Sequence, residues 1–133
     1  VEELSRRLSL ARRALGTLRE VLAGPKTAIT RDAAIQRFEY SFETTWKAAQ
    51  RHLRDAEGLD HGSPASVIRA AHAVGLLDEA TARLGLEMVR DRNLTVHTYN
   101  ERLADEIFAR LPAYLAMMDA LLSAMEKPAG SGA

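Results

Sequence analysis

This sequence predicts an all-α fold, an antiparallel up-and-down helical bundle of about five helices, and three observations predict it. Apolar residues recur at alternating spacings of four and three near both ends of the chain. Helix start and stop residues punctuate it at helix-length intervals. No segment shows the period-two alternation and β-branched enrichment of a strand. Residues 1–126 read as a single domain and residues 127–133, Lys-Pro-Ala-Gly-Ser-Gly-Ala, as a disordered C-terminal tail.

The first helix is predicted over residues 2–23. Leu4, Leu8, Ala11, Leu15, Leu18 and Leu22 form its apolar seam, and Gly24-Pro25 ends it. Arg6, Arg7, Arg12, Arg13 and Arg19 fall largely off the seam, as a solvated face or an RNA-contacting stripe. The second helix is predicted over residues 31–57, with Thr30 as its N-cap and Gly58 as its stop. Phe38, Phe42 and Trp46 stack on one of its faces, which suits core packing or, with exposure and flanking charge, a base-stacking platform. Glu39 and Glu43 lie one turn apart beside them, as a solvated edge or as ligands for a metal or for an arginine across an interface.

Ser63-Pro64 is a strong helix start, with Ser as N-cap and Pro at N1. The short third helix covers about residues 64–74, presents Val67, Ile68 and Ala71, and stops at Gly75. Asp78 caps a fourth helix running to about Arg92, with Ala82, Leu86 and Val89 among its apolar positions. Thr98 and Glu101 read as a capping box, so the fifth helix is predicted from about Tyr99 to Glu126. Its seam is Ile107, Leu111, Tyr114, Met118, Leu121 and Met125. The seam continues on both sides of Pro112, which should bend the helix rather than end it. The two long four-three helices are expected to pack together, and their apolar faces leave room for a homodimer.

The 133 residues suffice for one core, and 47% hydrophobic with 27% charged residues is ordinary for a globular domain. Cysteine is absent, which removes disulfides and thiolate metal sites and suits a reducing cytoplasm. Lysine and arginine balance aspartate and glutamate at 18 each, so no broad electrostatic grip on nucleic acid is advertised. No apolar run approaches the ~20 residues of a membrane span. The opening Glu2-Glu3-Leu4 lacks the layout of a signal peptide. Neither membrane nor DNA is therefore expected as a partner, and the expected location is cytoplasmic.

The chain has no His-Glu-x-x-His, no cysteine cluster and no glycine-rich phosphate loop, so neither metal nor cofactor is expected. Of its four histidines, His52 and His61 read as surface residues and His72 as a core-edge residue. The chemistry concentrates at the junction of the last two helices, Arg90 to Glu101. Arg92 closes the fourth helix and His97 lies in the link, an arrangement able to aim both into one pocket. Cleaving a phosphodiester without metal needs proton transfer and a fixed positive charge. Histidine titrates near neutrality and supplies the first; arginine's planar fork supplies the second. Asn93 could donate to phosphate or fix the histidine ring. A satisfied histidine at a helix end and a junction tyrosine are the plain structural alternatives.

Arg92-Asn93-Leu94-Thr95-Val96-His97 matches the R-x4-6-H motif of the HEPN superfamily, and Thr98-Tyr99 extends it to R-x4-H-x-Y. Residues 31–47 resemble one HEPN branch, the nucleotidyltransferase substrate-binding proteins, encoded beside a minimal nucleotidyltransferase (MNT). The resemblance covers about residues 2–126. It implies a HEPN-like bundle that dimerises and brings two motifs together at a cleft. It further implies a toxin acting as a metal-independent endoribonuclease on RNA, with Arg92 and His97 as its catalytic pair. The partner is then an MNT antitoxin that transfers AMP from ATP to Tyr99, where bulk and negative charge would occlude the phosphate site. The same resemblance carries an alternative: a non-catalytic substrate-binding subunit of a two-chain nucleotidyltransferase. A structural helical adaptor is a third class.

Overall fold

A computed structural model describes residues 2–127. Five α-helices follow one another: α1 (Glu2–Leu22), α2 (Ala28–Glu57), α3 (Pro64–Ala73), α4 (Glu79–Leu94) and α5 (Glu101–Glu126). One 3-10 turn, Thr95–His97, separates α4 from α5, and no strand occurs among the described residues. The all-α expectation therefore holds. The tail expected to be disordered lies, from residue 128, outside the described residues.

The four-three seams do what their spacing predicts. Ala11, Leu15 and Leu18 of α1 are buried, and so are Ile107, Leu111, Tyr114, Met118, Leu121 and Met125 of α5. α1 lies most extensively against α2 and also along α5, while α2 touches both α5 and α3. α3 and α4 pair with each other and close the remaining side through α4 contacts to α5. The helix continues through Pro112, as the uninterrupted seam predicts. Phe38 and Phe42 sit in the core, and Phe38 stacks on Tyr114 with ring centroids 5.6 Å apart. Trp46 packs at the core edge with its indole N–H donating to Glu43 Oε2 at 3.2 Å. The aromatic stripe is core, and no stacking platform faces outward from it.

α5 leaves the expectation of no membrane-length apolar run standing, although it is apolar on average. Its 26 residues reach a mean hydropathy of 1.3 over their most apolar window, long and apolar enough to cross a membrane by composition. Here that apolar surface is turned onto α1, α2 and α4. Arg110 and Asp119 interrupt it, and both pair with other helices, Arg110 with Asp91 of α4 and Asp119 with Arg12 of α1.

Two helix starts differ from those predicted, for the same reason: a nearby hydroxyl or amide has better geometry. α2 begins three residues early because Thr27 is its N-cap. Thr27 Oγ1 accepts from the Thr30 N–H at 3.0 Å, and the Thr27 N–H donates to Thr30 Oγ1 at 2.7 Å. Thr30 thus takes the N3 role that Glu or Gln fills in the usual capping box. α5 starts later than predicted, because Asn100 Oδ1 accepts from the Leu103 N–H at 3.2 Å. Thr98 instead donates to the Thr95 carbonyl at 2.8 Å and closes the 3-10 turn. The other signals hold. Ser63 caps α3 with Pro64 at its first position, and Asp78 caps α4. Gly58 ends α2 in the left-handed region at φ 67°, where a side chain would be strained.

α4 buries Ala82, Gly85, Met88 and Asp91, a row repeating every three residues, and leaves Leu86 and Val89 half-buried. The row contains a glycine and an aspartate, so its hydrophobic period is weak in the sequence. A Cβ on Gly85 would lie 2.8 Å from Met117 Cε and 3.1 Å from Ile68 Cγ2. Glycine is what lets α3 and α5 close onto α4 there.

Candidate functional site at the α4–α5 junction

The row that buries Asp91 also sets the junction. One residue further along α4, Arg92 emerges at the protein's edge with its side chain 24% exposed. It meets the two carboxylates that α2 presents one turn apart. Arg92 Nη1 donates to Glu39 Oε2 at 3.1 Å, and its Nε lies 3.7 Å from Glu43 Oε1. Nη1 also donates to Thr95 Oγ1 at 3.0 Å. The Thr95 hydroxyl lies 2.8 Å from Glu39 Oε2 and 2.7 Å from the Arg92 carbonyl, so two acceptors share its proton. Arg92 Nε is buried and has no hydrogen-bond partner among the described residues. Glu39 and Glu43 are thus a partly solvated edge, with 31% and 41% of their side chains exposed, that also faces Arg92. They hold an arginine, from within the same chain.

His97 ends the 3-10 turn and is exposed. Its Nδ1 lies 3.5 Å from the Tyr99 hydroxyl, and the two rings meet edge to face at 6.0 Å. Tyr99 is 82% exposed. Beside it runs an open recess of about 310 Å³ lined by Asp32, Ile35, Gln36, Glu39, Thr98 and Tyr99. Asn93 is exposed and makes no side-chain hydrogen bond to His97. The junction thus assembles two pairs. Arg92 is held with Glu39, Glu43 and Thr95, and His97 is held with Tyr99. No hydrogen bond joins Arg92 to His97 within the chain.

Beneath the junction is a group the sequence did not single out. Asp91 is fully buried and accepts from Arg110 Nη1 at 3.1 and 3.0 Å and from the Tyr114 hydroxyl at 2.5 Å. Burial pushes the Tyr114 hydroxyl well above the ordinary tyrosine range, and the adjacent Asp91 carboxylate adds to that shift. The same carboxylate raises the Arg110 guanidinium. This network locks α4 to α5 one residue from Arg92. An aspartate between two arginines carries no sequence mark of burial, so nothing local distinguishes Asp91 from its neighbours.

At the start of α2, beside the Tyr99 recess, Arg31 is nearly buried and is flanked by Asp32, Asp105 and, at 3.7 Å, Glu101. Hydrogen bonds to Asp32 foremost and then to Asp105 raise the Arg31 guanidinium. Asp105 is held below the usual carboxylate range by Lys26 and then Arg31. Among the histidines, His72 is exposed rather than at the core edge, and His52 is half-buried rather than on the surface. No group of three His, Asp or Glu among the described residues could hold a metal ion.

The architecture is thus that of an all-α bundle whose polar chemistry is gathered between its last two helices. A family described as nucleotidyltransferase substrate binding protein like matches residues 6–127, and the chain belongs to that family. It is similar to a protein solved from Thermus thermophilus, ttk003001694. That protein shares 53% identity over 88% of this chain and 99% of its own, with a TM-score of 0.85. It is also similar in fold to HI0074 from Haemophilus influenzae, described as a substrate binding domain of a nucleotidyltransferase. There the identity is 21%, over 90% of this chain and 99% of that one, with a TM-score of 0.77. Among curated proteins none matches.

Proposed function

We propose that this chain is the substrate-binding subunit of a two-chain nucleotidyltransferase and makes or breaks no bond by itself. Family membership supports a nucleotidyltransferase partner. The observation that carries the non-catalytic reading is the state of Arg92, whose charge is compensated by Glu39 and Glu43 of the same chain. Two carboxylates of its own chain face that guanidinium, so part of the positive charge that transition-state stabilisation of a phosphodiester requires is already balanced. The exposed Tyr99 and the recess beside it give the partner a surface to dock on.

The second reading is the HEPN toxin, a metal-independent endoribonuclease using Arg92 and His97 and neutralised by AMP transfer to Tyr99. The His97–Tyr99 pairing favours it. AMP on that hydroxyl, 3.5 Å from His97 Nδ1, would cover the histidine directly. In this reading RNA is the substrate, and a homodimer joins two junctions at one cleft. Both readings place the chain in the cytoplasm beside its MNT partner.

One experiment separates them. The protein, shown by intact mass to be free of AMP, is incubated with end-labelled tRNA and mRNA in excess EDTA beside His97→Ala. It is also mixed with the nucleotidyltransferase and sized by light scattering. Complex formation without cleavage by either form supports the subunit reading. Cleavage by wild type alone, with helical CD and oligomer mass unchanged in the variant, overturns it in favour of the nuclease.

A further inference from the structure

Thr95 lies between Arg92 and His97 in the chain and is bonded to both halves of the junction. It is buried where α4 gives way to the 3-10 turn. A hydroxyl can donate once and accept besides, and Thr95 uses both capacities on the arginine side. Its Oγ1 accepts from Arg92 Nη1 at 3.0 Å and lies 2.8 Å from Glu39 Oε2 and 2.7 Å from the Arg92 carbonyl. Its carbonyl serves the histidine side. It accepts from the Thr98 hydroxyl at 2.8 Å and from the Thr98 N–H at 3.3 Å, which closes the turn carrying Val96 and His97.

Each half needs that residue for its direction. Arg92 faces two carboxylates one turn apart on α2, and charge alone does not choose between them. It bonds only to Glu39; its Nε stays 3.7 Å from Glu43 Oε1, beyond hydrogen-bond reach. The Thr95 hydroxyl makes the difference, because it contacts the Glu39 oxygen and the Arg92 nitrogen that meet each other. Glu43 is engaged instead by the Trp46 indole. On the other side, Val96 is 68% exposed and His97 is exposed, so packing does little to place them. The ends of the turn do so: Thr95 at the first, and at the last the Asn100 N–H donating to the His97 carbonyl at 3.0 Å.

We infer, on the reading that this junction is the surface presented to the nucleotidyltransferase, that Thr95 is its positioning residue and couples its two halves. The hydroxyl pins the first residue of the turn to Glu39 of α2 and directs Arg92 to the same carboxylate. The carbonyl carries that placement through Thr98 to His97 and Tyr99. Glu39 also lines the recess beside Tyr99, so a partner contact made there reaches Arg92 through Thr95.

The test compares Thr95→Val, which keeps the shape and loses the hydroxyl, with Thr95→Ser, which keeps the hydroxyl. NMR of the whole chain reads the slowly exchanging Arg92 Nε–H and the cross-peak between the His97 and Tyr99 rings. Light scattering reads the complex with the nucleotidyltransferase. Thr95→Val should lose both NMR signatures and bind the partner several-fold more weakly, with its helical CD unchanged; Thr95→Ser should restore all three. Glu39→Ala, at a partly exposed position, should reproduce the valine variant, and it carries the same readouts if Thr95→Val does not fold. Glu43→Ala should leave the ring cross-peak intact. The coupling is overturned if Thr95→Val keeps that cross-peak or binds the partner like wild type. It is equally overturned if serine does not rescue, or if Glu43→Ala acts as strongly as Glu39→Ala. Failure of wild type itself to bind the nucleotidyltransferase would instead count against the subunit reading, since both NMR signatures are read on this chain alone.

Discussion

Asp91 shows how one residue can hold the junction in place. It is a fully buried carboxylate with two partners of unequal kind, Arg110, which is partly exposed, and Tyr114, which is buried. Removing Arg110 leaves a buried charge uncompensated, so Arg110→Ala should cost about 3 kcal/mol in urea unfolding. Tyr114→Phe removes one hydrogen bond and should cost about 1–2 kcal/mol. The reverse order would mean that the ion pair is screened by solvent. The pH dependence follows from Tyr114. Its folded pKa is raised by burial and by Asp91, so the fold favours the neutral phenol. That contribution is complete below the unfolded tyrosine value of ~10 and is lost as pH climbs towards the folded one. Wild-type stability should therefore fall more steeply above roughly pH 10 than that of Tyr114→Phe; equal slopes would remove Tyr114 from the account.

At the scale of the helices, caps and close approaches set where the functional residues land. Asn100, not Thr98, caps α5. Asn100→Ala should therefore cost about 1 kcal/mol and Thr98→Ala distinctly less, measured by thermal unfolding of the two variants side by side. Because α5 starts at Glu101, Tyr99 stays outside the helix and projects into solvent beside His97. Gly85 has a comparable effect on α4. Gly85→Val would drive two methyl groups into Ile68 and Met117 and should destabilise by about 1–3 kcal/mol. A neutral result by calorimetry would mean that α3 yields there without loss of packing.

Across the whole molecule, α3 and α4 are tied to the remainder by a few specific contacts. Asp91 reaches Arg110 and Tyr114 of α5, and Arg92 reaches Glu39 of α2. Gly85 lies between Ile68 and Met117. Arg12 joins the opposite end by pairing with Asp119 and Glu126 of α5. Such cross-links predict one cooperative transition. Helical CD and the fluorescence of Trp46, at the core edge on α2, should give coincident urea curves. An earlier loss of CD amplitude would show that α3 and α4 open as a separate unit.

The helix class, the five helices, most of their ends and both long seams were legible in the chain alone, because period and caps are local properties. So was the position of Arg92, His97 and Tyr99 along the α4–α5 junction, but not that Arg92 turns to α2 while His97 faces Tyr99. What those residues touch came only with the packed helices. Glu39 and Glu43 stand on α2, some fifty residues before the arginine they hold, and no spacing rule joins them. Asp91 is buried because α5 delivers Arg110 and Tyr114 to it, and Gly85 matters because two other helices converge on it. Pairings of that kind depend on where distant helices cross, which local periodicity does not encode.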